Sequence, residues 1–292
     1  MKTALEDRFE QLRQQTGAEA PPELLKPDAG LSFVNPTEFV DLPSRGKYYA
    51  PEHPMHGKES VEIKQMTTKE EDILTNKSLI KKGVVIDRLI ESLVLDKSIK
   101  ADSLLVGDKN AIMIAARISA YGPEYDVSIV CLECGNKSLH NISLTEVYVA
   151  DAEILEQQAQ LDEKLKHERL PNGNVIIPLP KTGWNAECRL LTGRDETTLL
   201  TYLETKRKKD AQAEITLGEQ LSFIIQSING VADPKMLSDG IALMPAFDAK
   251  HLRNVYQKLI PNVKIEKKYT CGSCISEQEV EVPFTQEFFW PK

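Results

Sequence analysis

Cys131-Leu132-Glu133-Cys134 and Cys271-Gly272-Ser273-Cys274 are the two stretches on which the fold turns. Each CxxC pair lies between runs with strand-like alternation, residues 125–130 and 138–144 around the first, 263–270 and 277–284 around the second. A CxxC at the tip of a hairpin turns two sulfurs to one side of a tight turn. Two such tips facing each other make a closed tetrahedral four-sulfur site, the preferred geometry of structural zinc. The spacing therefore predicts one Zn2+ per chain, held by Cys131, Cys134, Cys271 and Cys274 and joining segments 140 residues apart. Two other arrangements share the pattern. Each pair could hold its own metal, but only the first is followed by a histidine, His140. A thiol-redox pair would need a helix N-terminus to activate its first cysteine, and the alternation over 277–282 places a strand there instead. A closed four-sulfur site has no open coordination position, so its role is structural.

The same offset relates other residues. Asp108 and Asp248 fall in step, each after an apolar run (Leu104-Leu105-Val106-Gly107 and Leu243-Met244-Pro245-Ala246-Phe247), and so do Ile112 and Leu252. Upstream the register drifts, with Ile90-Glu91-Ser92-Leu93 resembling Ile225-Gln226-Ser227-Ile228 and Met66–Glu71 resembling Leu191–Glu196. We read an internal duplication of roughly 85–100 residues per copy. The expected fold class is α+β: duplicated modules of helices plus small β-hairpins, joined by a zinc-ribbon-like four-cysteine site. The expected organisation is an N-terminal amphipathic helix (1–16), a linker and extended segment (17–60), a first repeat (61–147), a helical connector and hairpin (148–184) and a second repeat (185–292).

Within this frame Leu5, Phe9 and Leu12 make a narrow apolar stripe on the first helix, which a Pro- and Gly-bearing linker follows. Thr67 or Thr68 caps a helix with Glu70 and Glu71 in its first turn, and Asp108 is expected to cap the helix 110–121. In the connector, Ile154, Leu161 and Leu165 are expected inward. Pro171-Asn172-Gly173-Asn174 reads as a hairpin turn. The final Phe288, Phe289 and Trp290 are expected to pack beneath the second hairpin or to anchor a neighbouring subunit.

A net charge of −8 argues against nucleic acid and anionic membranes, which need a basic surface. The one basic run, Lys206-Arg207-Lys208-Lys209, reads as a solvated loop. No stretch reaches the roughly 18 apolar residues of a membrane helix, and the acidic amphipathic start shows no secretory signal. Four of the five cysteines are in metal-spaced pairs, and Cys188 reads as a small hydrophobe in a strand, which fits a reducing compartment.

Catalytic patterns are scarce. Gly46-Lys47 fails as a phosphate loop because Asp41 and Tyr48 stand where glycine and a hydroxyl residue are needed. HExxH, GxSxG and GxGxxG are absent, and His53 and His56 read as solvated loop residues. Glu70/Glu71 and Asp195/Glu196 sit where a helix macrodipole favours acids. The chain is expected not to be an enzyme.

Several stretches together resemble a known family. They are Leu42-Pro43-Ser44-Arg45-Gly46-Lys47-Tyr48-Tyr49, the segment 61–72 with Met66-Thr67 and Glu70-Glu71-Asp72, Gly107-Asp108 with the tract to Tyr121-Gly122, and the two CxxC pairs with Phe288-Phe289-Trp290-Pro291. In these the chain resembles the T4-type baseplate hub proteins of contractile-tailed bacteriophages, the hub subunit or hub-assembly group. The resemblance implies a viral, non-enzymatic structural or assembly protein. It would be found in the virion tail baseplate, or in the host cytoplasm during assembly. Its partners would be other baseplate and hub proteins. On the reading of the chain as a zinc-stapled scaffold, the helix around Leu5, Phe9 and Leu12 and the tail Phe288, Phe289 and Trp290 are expected to be the partner-binding ends. Members of that family are shorter, which leaves the second repeat and the first helix a role of their own. The competing assignment is a cellular zinc-ribbon adaptor of transcription or translation. Its hairpins should be basic and aromatic, whereas these carry Asp126, Glu133, Glu277, Glu279 and Glu281.

Overall fold

Residues 37–41 alternate between solvent and core and form β1 (Thr37–Asp41), which pairs antiparallel with β2 (Ser60–Lys64), Val40 opposite Val61. The structure, a computed structural model, describes residues 35–282 and 286–289; Leu5, Phe9, Leu12 and Trp290 lie outside the described residues. The loop between β1 and β2 turns Leu42, Tyr48, Tyr49 and Met55 inward. It needs glycine at Gly46: φ is +67°, and a Cβ there would stand 2.4 Å from the Lys58 nitrogen.

Thr67 starts α1 (Thr68–Thr75), its N–H and hydroxyl both donating to Glu70 Oε2 at 3.0 and 2.6 Å. After the short α2 (Lys77–Lys81), α3 (Val85–Leu93) buries Val85, Leu89, Ile90 and Leu93 at helical spacing. The long α4 (Val106–Tyr121) ends at Gly122, with φ +84°. The hairpin of β3 (Glu124–Val130) and β4 (Lys137–Ser143) carries the first CxxC at its tip.

The chain continues with further strands and helices. A short strand, β5 (Tyr148–Ala150), and α5 (Ala152–Leu161) lead to β6 (Glu168–Arg169), β7 (Val175–Pro178) and β8 (Asn185–Cys188). Then come α6 (Gly193–Arg207), α7 (Leu217–Ile224), β9 (Ile225–Ile228), α8 (Pro234–Leu243) and α9 (Ala246–Leu259). The hairpin of β10 (Asn262–Thr270) and β11 (Glu277–Val282) carries the second CxxC. Among the described residues the sheets are small and antiparallel, in the orders β1-β2, β3-β4, β6-β7-β8-β9 and β11-β10-β5. The fold is thus mixed α+β. One core gathers β1, β2, α3 and α4, a second gathers β7, β8, α7 and α9, and a small third joins Ile129 and Cys131 to Tyr269 and Cys271.

Local details depart from the sequence expectations. Leu105, not Asp108, precedes the first turn of α4; Asp108 sits inside that turn and accepts hydrogen bonds from the loop after β1. On α5 the inward residues are Ala152 and Leu155, whereas Ile154 is exposed and Leu161 is 87% exposed; Leu165 is buried as expected. The cause lies at its start. The Ala152 N–H donates to Pro43 O and Asp151 pairs with Arg45 at 2.7 Å, which fixes the rotation of the helix. Lys206 and Arg207 form the last turn of α6 rather than a loop, where cations suit the helix dipole, and Lys206 pairs with Glu219 at 2.7 Å. His53 and His56 are tied down: His53 stacks on Tyr49 and bonds Ser103 Oγ, and His56 bonds the Tyr49 carbonyl.

Phe288 and Phe289, expected on the scaffold reading as a partner-binding end, are fully buried in the first core. Phe288 meets Tyr125 edge-on at 5.1 Å and Phe289 at 5.4 Å, and its carbonyl accepts from Arg117 Nε at 3.1 Å. Two phenyl rings gain more by filling this core than by waiting on the surface.

Candidate metal centre

Each CxxC is built by the same backbone device. The Cys131 N–H donates to Asn136 O and the Gly135 N–H to Cys131 O; the Cys271 N–H donates to Ser276 O and the Ile275 N–H to Cys271 O, all at 2.9 Å. These bonds close a turn that holds both sulfurs on one side. Its last residue takes a left-handed conformation, φ +70° at Gly135 and +62° at Ile275. Glycine accepts that conformation freely, whereas a β-branched side chain is strained there.

The two tips meet. Cys131 Sγ lies 3.6 Å from Cys274 Sγ and Cys134 Sγ lies 3.7 Å from Cys271 Sγ, and all four sulfurs fall within 4.8 Å of one another. A tetrahedron with metal–sulfur bonds of about 2.3 Å has edges of about 3.8 Å, so the four positions fit a metal ion. Among the described residues these four are the only cluster of that kind. His140, the ligand that a separate first site would need, instead bonds Ser138 Oγ at 2.8 Å and packs on Tyr269.

Electrostatics point the same way. The backbone N–H groups of Cys134 and Glu133 lower the Cys131 thiol to about 6, and those of Cys274 and Ser273 lower Cys271. Cys274 has one such bond, from Ser276, but the neighbouring sulfurs of Cys134, Cys131 and Cys271, together with burial, push it up to about 12. Negative charge thus accumulates easily on part of the cluster and is resisted on the rest, a conflict that a cation relieves.

Sequence reasoning missed Gln278. Its Nε2 donates to Cys131 Sγ at 3.3 Å, and its Oε1 accepts from the Leu132 N–H at 3.0 Å and from the Tyr269 hydroxyl at 3.1 Å. One side chain on β11 therefore laces the first knuckle to the second hairpin. A glutamine in a polar strand carries no signal of such a role. Cys188 is remote from the cluster. It is buried in β8, burial raises its thiol to about 12, and it behaves as the small hydrophobe expected.

No curated protein and no solved structure matches the chain significantly. A family does. Residues 36–169 match the family described as T4 bacteriophage base plate protein. The span takes in the Leu42–Tyr49 loop, the cap of α1, the α4 helix and the first CxxC hairpin. The resemblance to T4-type phage baseplate proteins is therefore supported over residues 36–169.

Proposed function

We propose that the protein is a non-enzymatic scaffold of the baseplate hub, or of its assembly, whose two modules are duplicated copies locked together by one zinc ion. The family match supports a structural role among baseplate proteins, and the approach of four sulfurs from segments 140 residues apart carries the scaffold reading. Two further pairs support the duplication. Thr192 donates through N–H and hydroxyl to Asp195 Oδ2 at 2.9 Å each, as Thr67 does to Glu70. Asp108 and Asp248 each lie in the first turn of a long helix and accept from the loop after the module's first strand. On this basis the copies run from β1 to β4 and from β7 to β11, wider at their starts than the cysteines and helix caps alone suggest.

Zinc bound by Cys131, Cys134, Cys271 and Cys274 would contribute folding free energy by joining two hairpins whose shared core is small. Gln278 would hold the first knuckle in register for it. A rigid pair of modules then loses little ordering entropy when other hub subunits dock. Metal content and free thiols, measured on reduced protein beside Cys274→Ser, test this. The expectation is about one zinc per chain, lost in the variant together with thermal stability. Two metals per chain, or none with a reversible Cys271–Cys274 disulfide, would overturn the scaffold.

A further inference from the structure

Among the described residues, one edge of the first module's first strand carries no other strand. In the second module the corresponding strand, β7, lies between β6 and β8, whereas β1 is paired on the β2 side alone. The register decides which backbone groups that leaves. The Leu42 N–H donates to Glu59 O and the Gln65 N–H to Pro36 O, so the even-numbered residues of β1 direct their N–H and C=O groups to β2. Antiparallel pairing alternates, and Thr37, Phe39 and Asp41 therefore turn theirs the other way. Phe39 is 71% exposed.

Beyond this edge lies a cavity of about 470 Å3. Its floor is the small and aliphatic face of α4, Ala111, Ile114, Ala115 and Ile118, and its far wall includes Val149 of β5. β5 is itself the outer strand of its sheet. The cavity thus separates two unpaired strand edges, which converge where the Ala152 N–H donates to Pro43 O at 2.8 Å. The rim is acidic. Asp41, Glu59 and Asp151 line it with the single cation Arg45, which bonds Asp151 at 2.7 Å and reaches Glu59 at 4.0 Å, so the lining keeps an excess of negative charge.

We propose that this groove receives an extended segment of a partner protein, added as a strand to the free edge of β1 and alternating apolar with basic residues. Main-chain hydrogen bonds to Thr37, Phe39 and Asp41 give the affinity, apolar side chains sit on α4, and the basic ones answer the acidic rim at Asp41 and Glu59. The second module shows that the architecture accepts a strand at this edge, because β6 occupies it there. β6 reaches β7 through the turn at Pro171-Asn172-Gly173-Asn174, with Gly173 at φ +86°.

The test uses the full chain and a short synthetic peptide of alternating valine and lysine, beside the same peptide N-methylated at alternate amides. Titration measures affinity, and amide hydrogen exchange by NMR locates the contact. The expected result is protection of the Phe39 and Asp41 amides and no binding of the N-methylated peptide. Phe39→Pro removes an edge N–H that β2 does not use and weakens binding about tenfold, while Ala115→Trp fills the groove and abolishes it. Melting curves check that both variants fold, and the N-methylated peptide carries the test if Phe39→Pro does not. Equal binding of both peptides, protection elsewhere, or no binding at millimolar peptide would overturn the proposal. So would amides at Phe39 and Asp41 already protected in the free protein. Protection that rises with protein concentration would assign the edge to a second copy, and protection independent of it to the chain itself.

Discussion

Asp108 and Asp248 occupy the same place in their modules and are both fully buried, yet their carboxyls are pushed in opposite directions. Burial raises Asp108 above its usual range, against the Ser44 hydroxyl and N–H and the Tyr49 hydroxyl at 2.6, 3.0 and 2.7 Å. Burial also acts on Asp248, but there the N–H groups of Lys181 and Thr182 and the Thr182 hydroxyl, at 2.8–2.9 Å, hold it below the usual range. The difference lies first in depth, since Asp108 is enclosed more deeply than Asp248, then in the donors, with His251 adding to the lowering at Asp248. One backbone N–H and two rotatable hydroxyls stabilise charge less firmly than two fixed backbone N–H groups and a hydroxyl. Each aspartate therefore pins a loop to a helix, with different electrostatics. Truncation tests the shared part. Asp108→Ala strands three buried donors and should cost about 3–5 kcal/mol in denaturant unfolding, whereas Asp248→Ala frees three part-buried donors that water can reach and should cost about 2 kcal/mol. A loss below about 1 kcal/mol at either site would mean that the loop is not held there.

How much of this was legible varies with sequence distance. The cysteine cluster could be read because two residues three apart declare a ligand pair, and two such pairs declare a site. The caps at Thr67 and Thr192 are equally local. The two aspartates were visible as a repeat, but their role was not, because their donors lie 64 and 66–67 residues away. The same holds for Gln278, which acts on Cys131 from 147 residues away. Phe288 and Phe289 were read in part: packing inside the chain was one of two expectations, but the receiving residues, Tyr125 and Arg117, are too distant in sequence to be named beforehand. Periodicity found α5, but the Arg45–Asp151 pair that sets its rotation spans 106 residues.

The two helix caps extend the comparison to pH. Burial alone would raise Glu70, but Lys64, Ser92 and Thr67 bond its carboxylate and lower it to about 2. In the unfolded chain its value is 4.5. The folded state thus binds fewer protons, and the stabilisation is fully present above about pH 4.5 and lost as pH falls toward 2. Between those limits stability should fall by on the order of 2–3 kcal/mol from this group. Glu70→Gln should flatten that part of the acid-unfolding profile. An unchanged profile would show that Glu70 titrates normally.

Isosteric substitution separates the two aspartates by their donors. In Asp108→Asn the new NH2 can donate to the Ser44 and Tyr49 hydroxyls, which rotate to accept it, and the expected loss is about 1 kcal/mol. In Asp248→Asn that NH2 faces the Thr182 N–H, which cannot turn round, and the loss should be about 2 kcal/mol. Equal losses, measured by urea unfolding at neutral pH, would remove the distinction drawn from the donors.

The smallest effect compares the knuckles. Gly135 and Ile275 close identical turns in the same left-handed conformation, and a Cβ at Gly135 would meet nothing within 4 Å. The cost of a side chain there is conformational alone, so Gly135→Ala should lose about 1 kcal/mol. At Ile275 the chain already bears that strain, with a β-branched side chain that is 79% exposed and returns little burial. Ile275→Gly should therefore gain up to about 1 kcal/mol, since relief of strain exceeds the added freedom of the unfolded chain. Melting both variants under reducing conditions with metal present checks the pair. If Ile275→Gly loses stability, the isoleucine makes a contact that outweighs its strain, and the two knuckles differ in more than their residues.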